Sequence, residues 1–369
     1  MNASYPSPLK GLFAQNTKAS VSNSLLLAVL STPAIFVVWL MAMPGGDTAL
    51  TWFDDSLLFL MSSGAAVATF MAARRYRGTR MGFAWGMISL GMSFMAFGEG
   101  AWAFEELILG REVISPAVSD IGYLGFYVPV FLGLLAFPQA PVFGLRRLRF
   151  TLDTIIVTSA VALVSWHFLI EGLVGDSGGF SLESVITVAY PVLDLGIVSA
   201  AVFVVLRGGR TLTNVSVALL LIGFVSIALS DSVYSYLTQI GEYDTGSTFD
   251  VGWVFGYAVI TAAAIMAASR RVNLDSFVEE GHRRAPLWQT AVLNTAIILP
   301  TLLLFLHVAD SSFEIDYVTL IGYVGLVGLV LLRGFILHVE HGQLHSQVEE
   351  MAQSLREKLT AERMTKLRP

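Results

Sequence analysis

Residues 118–137 read Val118-Ser-Asp-Ile-Gly-Tyr-Leu-Gly-Phe-Tyr-Val-Pro-Val-Phe-Leu-Gly-Leu-Leu-Ala-Phe137, with one carboxylate, Asp120, and no basic side chain. About 20 mostly apolar residues in a helix cross about 30 Å of hydrocarbon. This stretch therefore predicts a membrane-spanning helix that carries an acid and two tyrosines near one end. Working outward, the same criterion marks ten spans: 21–43, 52–73, 81–107, 118–137, 151–173, 182–206, 214–238, 249–268, 287–309 and 317–337. Their connections are short, leaving no room for an inserted soluble domain. Pro33, Pro129, Pro191 and Pro300 fall inside spans, where neighbouring helices can satisfy the freed carbonyls.

Composition agrees. Of 369 residues, 55% are hydrophobic and 14% charged, and mean hydropathy is +0.69. A soluble domain carries about 25% charged residues and needs a polar coat. An ordinary cytosolic enzyme and a disordered chain are excluded. The net charge of −6 argues against nucleic acid as a partner. Cysteine is absent, which excludes disulfides, thiolate metal sites and cysteine nucleophiles.

Cytoplasmic loops retain Lys and Arg. Alternate loops hold Arg74, Arg75, Arg77 and Arg80, then Arg146, Arg147 and Arg149, then Arg207 and Arg210, then Arg270, Arg271, Arg283 and Arg284. Of the 22 basic residues only Arg111 falls in the opposite loops. Both termini are expected on the cytoplasmic side of a cell inner membrane, with lipid as the surrounding partner.

Spans 3–4 and 7–8 share a pattern. Gly91, Glu99, Trp102, Asp120, Gly122, Tyr123 and Tyr127 recur in order as Gly223, Asp231, Tyr234, Asp250, Gly252, Trp253 and Tyr257. The offset is 132 before the outer loop and 130 after it. Copies four spans apart share one orientation, which predicts a parallel duplication of a four-helix unit. The expected fold is thus an all-α polytopic membrane helix bundle with a parallel four-helix repeat, spans 1–4 and 5–8. Its parts are an N-terminal tail over 1–20, repeat 1 over 21–137, repeat 2 over 151–268, an accessory helix pair over 287–337 and a cytoplasmic helix over 338–369.

A carboxylate at mid-helix costs about 2.5–3.5 kcal/mol on insertion scales. Glu99, Asp120, Glu171, Asp194, Asp231 and Asp250 nevertheless lie within spans or at their outer ends. Trp102, Tyr123, Tyr127, His167, Tyr190, Tyr234, Trp253 and Tyr257 accompany them. His167 and Glu171, one helical turn apart, share a face. Together these residues are candidates for an outward-facing acidic and aromatic cavity that takes an unidentified small ligand or ion. The plainer alternative is that each acid bonds a nearby phenol, indole or backbone group and sets helix register.

No reaction follows from these residues. H-E-x-x-H is absent, and no strand-to-helix G-x-S-x-G elbow is expected in an all-helical chain, Gly175-Asp-Ser-Gly-Gly179 falling between spans. Lysine occurs only at 10, 18, 358 and 366, outside the spans, so no retinal Schiff base can form. No catalytic residue, metal ligand or cofactor is expected, and the chain is not read as an enzyme.

Beyond span 10, Leu344, Val348, Met351 and Leu355 follow His341 at heptad spacing. Charged residues surround them, and no Gly or Pro interrupts Gln343 to Leu367. This predicts a helix leaving the membrane to form a dimeric coiled coil, hence a homodimer.

The stretches Pro116-Ala-Val-Ser-Asp120-Ile-Gly-Tyr123, Ala189-Tyr190-Pro191-Val-Leu-Asp194 and Asp250-Val-Gly-Trp253 resemble the multi-span N-terminal sensor module of bacterial signalling proteins. That module precedes diguanylate cyclase, phosphodiesterase, PAS or histidine kinase domains. The resemblance spans about residues 20–355. It implies a membrane-embedded input module passing its signal to a cytoplasmic output domain or partner protein, with coupling expected through spans 9 and 10. Neither a Gly-Gly-Asp-Glu-Phe nor a Glu-Ala-Leu signature is present. A drug/metabolite-type transporter is the alternative. Its five-plus-five inverted plan does not match a parallel repeat four spans apart. A lipid-modifying enzyme is a third reading, with no catalytic spacing behind it.

Overall fold

The computed structural model describes residues 8–42, 44–138, 144–170, 181–207, 215–269, 298, 302 and 317–366. Nine long helices occur among them: α1 Pro8–Ala42, α2 Gly46–Arg75, α3 Arg80–Ala103, α4 Val118–Ala136, α5 Gly144–Ser165, α6 Leu182–Arg207, α7 Val215–Gln239, α8 Val251–Ser269 and α9 Tyr317–Lys366. Each contains a stretch long and apolar enough to cross a bilayer. No strand occurs among the described residues. Eight of the ten expected spans match α1 to α8, and the tenth lies within α9. Expected span 287–309 lies outside the described residues except at 298 and 302, and Glu171 and Pro300 lie outside them too.

The local chemistry explains several boundaries. Thr79 caps α3, its hydroxyl accepting the Gly82 N–H at 3.1 Å, which satisfies one otherwise orphaned helix-start donor. Gly78 turns the chain from α2 into α3 at φ 81°, a conformation that glycine adopts without strain. Helices α3 and α5 each end in a π turn, Phe104–Ile108 and Trp166–Ile170. A 3₁₀ turn, Thr248–Asp250, leads into α8.

Packing follows two similar paths. Helix α2 packs on α3 and α8, and α3 on α4; α6 packs on α7 and α4, and α7 on α8. One apolar core joins these six helices, with Trp85, Phe126, Phe224 and Tyr257 fully buried. Helix α1 lies on α8, while α9 lies on α5 and α5 on α6. A small second core of Ile156, Ala160 and Leu326 fills the α5–α9 seam. Large apolar side chains cover the outside, among them Leu27, Leu60, Val67, Ile321 and Leu331.

Glycine sets the closest helix approaches. A Cβ on Gly91 would lie 2.5 Å from Val130 Cγ2 and 3.0 Å from the Phe126 carbonyl oxygen. On Gly223 it would lie 2.5 Å from Ile260 Cγ1 and 2.9 Å from the Gly256 oxygen. On Gly122 it would overlap the Gly98 backbone, which no rotamer change relieves. Gly122→Ala is therefore expected to push α3 and α4 apart at a cost of about 1–3 kcal/mol. Thermal unfolding in detergent checks this, and an unchanged midpoint would contradict the close crossing.

Candidate functional site

The acids gather at the end of the bundle opposite Arg75, Arg80 and Arg149. Glu99, late in α3, accepts the Tyr257 hydroxyl at 2.6 Å and the Tyr123 hydroxyl at 3.2 Å. The first bond comes from α8 and the second from α4. Asp231, late in α7, accepts the Trp253 indole N–H at 2.7 Å. Asp194 in α6 accepts the Tyr127 hydroxyl at 2.8 Å and meets the Asp231 carboxyl. Tyr190, one turn before Asp194, donates to Asp120. Bonds therefore run between α3 and α8, and between α4 and α6, as well as within each hairpin.

Two acids have a second task. Asp120 accepts the Ala117 N–H at 2.7 Å and the Ser115 hydroxyl at 2.8 Å. Asp250 accepts the Ser247 N–H at 2.7 Å and the Gly246 N–H at 2.9 Å. Both satisfy helix-start donors where the helix dipole favours negative charge. Asp-x-Gly-aromatic is thus a helix-start device: the acid caps and the glycine admits the neighbouring helix.

Aromatic rings cover the same end. Tyr234 meets Tyr243 edge-to-face at 4.7 Å, Trp102 at 6.4 Å and Trp253 at 5.9 Å. Trp102 donates to Glu106 at 2.8 Å across the π turn, and Thr245 reaches the same carboxylate at 3.3 Å. Such turns re-aim side chains; here one carries Glu106 toward the loop before α8. Tyr243 in that loop donates to Asp250 at 3.2 Å. Burial, with the Asp250 charge beside it, raises its phenol well above the ordinary value, so it remains a donor. His167 lies half-buried in the π turn after α5, which packs on α6 and α7.

Asp54 and Asp55, which belong to no motif in the sequence, join these acids. Asp54 is 1% exposed and Asp55 3%. Asp54 faces Asp250, with Asp55 and Glu99 close by. Neither Asp54 carboxyl oxygen has a hydrogen-bond donor, nor does Asp55 Oδ2. The available signal was their position, since they stand at the start of expected span 52–73, at the same end of the bundle as the other acids. Glu105 pairs at 2.9 Å with Arg111, which is largely exposed.

No described lysine or arginine bonds to Asp54, Asp55, Glu99, Asp120, Asp194, Asp231 or Asp250. Among the described residues no group of three or more His, Asp or Glu side chains is arranged to hold a metal ion. The chain matches no family model, no curated protein and no solved structure.

Hydrogen bonds to charged groups contribute about 1.5–3 kcal/mol. Tyr257→Phe, which removes the shorter bond to Glu99, is expected to destabilise by about that much. Tyr123→Phe, at 3.2 Å, should cost less. Unfolding midpoints of the two variants in detergent test the order, and a reversed order would refute it.

Proposed function

We propose that the chain is a membrane-embedded sensory input module: its acid–aromatic network receives a small ligand or ion, and α9 carries the change to a cytoplasmic output domain or partner. Among the described residues, nine long apolar helices with apolar outer faces support insertion in a membrane. The basic residues at one end support cytoplasmic termini in a bacterial inner membrane. A parallel repeat is supported by matched details. Glu99–Tyr123 has its counterpart in Asp231–Trp253, Gly91 in Gly223, and the Asp120 cap in the Asp250 cap. Helices α2 and α6 also bridge the two units in matching ways. The network then lies at the seam between units, where a ligand can bias their relative packing.

The observation that carries the reading is the attachment of α9. Arg333 pairs with Asp153 of α5, and Arg149 of α5 pairs with Glu340 at 2.7 Å. These bonds tie α9 to α5 near the arginine-rich end, beyond which α9 continues to Lys366. Val348, Met351 and Leu355 are each about 60% exposed in the single chain. An apolar seam at heptad spacing on such a helix fits a second copy of the chain.

Two tests follow. Leu344→Cys in native membranes is expected to give covalent dimers on oxidation, and a wholly monomeric product would refute the coil. In that background Glu99→Gln should change the crosslinking rate. Asp153→Asn leaves Arg333 facing an uncharged amide, loosening the α5–α9 junction by about 3 kcal/mol, and should abolish the dependence on Glu99. A rate indifferent to both changes would end the coupling.

A further inference from the structure

The seven network carboxyls are not equally satisfied. Phenol and indole donors reach Glu99, Asp120, Asp194 and Asp231, and backbone N–H groups reach Asp250. Beyond the Asp250 carboxyl, Asp54 has no donor on either oxygen although it is 1% exposed. It faces Asp250, itself wholly buried. Two carboxylates in contact repel unless a proton or another cation lies between them. The titratable groups around the pair are Asp55 on the same helix, Glu99 from α3 and Tyr243 from the loop before α8. None supplies positive charge, and no described arginine or lysine bonds to the pair.

We infer that the Asp54–Asp250 pair is a binding site for a small monovalent alkali cation, taken up in exchange for a proton. This names the ligand class of the sensor reading and rests on it. The oxygen donors at hand are the two carboxyls, the Tyr243 hydroxyl at 3.2 Å and the Ser247 hydroxyl at 3.4 Å from Asp250 Oδ1. All are hard ligands, which favours alkali and alkaline-earth ions over transition metals. Two carboxyls suit a single charge, whereas a divalent cation wants six to eight oxygen ligands or several retained waters. The complete burial of Asp250 and near-complete burial of Asp54 exclude an organic ammonium from this position. The exchange balances: the cation enters between the carboxyls and the proton they shared leaves to solvent.

The purified full chain in nanodiscs is titrated with sodium chloride, against choline chloride at equal ionic strength. Proton release is read with an indicator dye in weak buffer, and the unfolding midpoint is read alongside. Saturable proton release and a raised midpoint are expected with sodium and not with choline. Asp54→Asn should weaken the sodium effect more than about tenfold, and Tyr243→Phe should weaken it to a lesser degree. Sodium acting no differently from choline on the unaltered chain overturns the inference, even if Asp54→Asn does not fold. A folded Asp54→Asn that responds like the unaltered chain overturns it too. If sodium has no effect but Glu99→Gln still alters Leu344→Cys crosslinking, only this inference falls. If sodium binds and crosslinking never changes, the sensor reading falls instead.

Discussion

Carboxyl groups in an apolar bundle without basic partners are the constraint around which this molecule is built. An ionisable group at mid-helix costs about 2.5–3.5 kcal/mol on insertion scales, and a hydrogen bond to a charged group returns about 1.5–3 kcal/mol. One phenol or indole donor per acid therefore roughly offsets its burial. The donors come largely from other helices: Tyr257 of α8 to Glu99 of α3, and Tyr127 of α4 to Asp194 of α6. The offset exists only while those helices stay in register. Polar satisfaction and helix arrangement are thus one property, and anything that changes charge in the network bears on packing.

The route from that network to the terminal helix is contiguous. Asp194 and Tyr190 stand on α6, α6 packs on α5, and α5 is bonded to α9 through Asp153 and Arg149. Spans 9 and 10 were expected to link the repeat to the coil; the structure shows α9, which contains span 10, packed on α5. The seam there combines a small apolar core with ion pairs at its polar end. Such a seam tolerates a shift of register better than the glycine-bound crossings of α3 with α4 and α7 with α8, where backbones touch.

Helix positions were legible because hydrophobic length is a local property. Span 118–137 became Val118–Ala136, and span 182–206 became Leu182–Arg207. The Asp-x-Gly-aromatic motif was legible as a recurrence but not in its use, since capping depends on which backbone N–H groups converge on the acid. Asp54 and Asp55 were not legible as members of the site. Adjacent acids at the start of a span look like a boundary marker, and only the arrival of Asp250 from a helix about 200 residues later makes Asp54 unusual.

Composition and hydropathy by themselves determined that the described residues form helices and not strands, where those helices run, and which residues recur, because each of those is set within a few turns of chain. Tertiary structure alone decided which acid meets which phenol, that Asp54 is left without a donor, and that α9 rests on α5. Those outcomes depend on the order in which helices pack around one core. That order is settled by glycine contacts and buried hydrogen bonds between residues far apart in the chain.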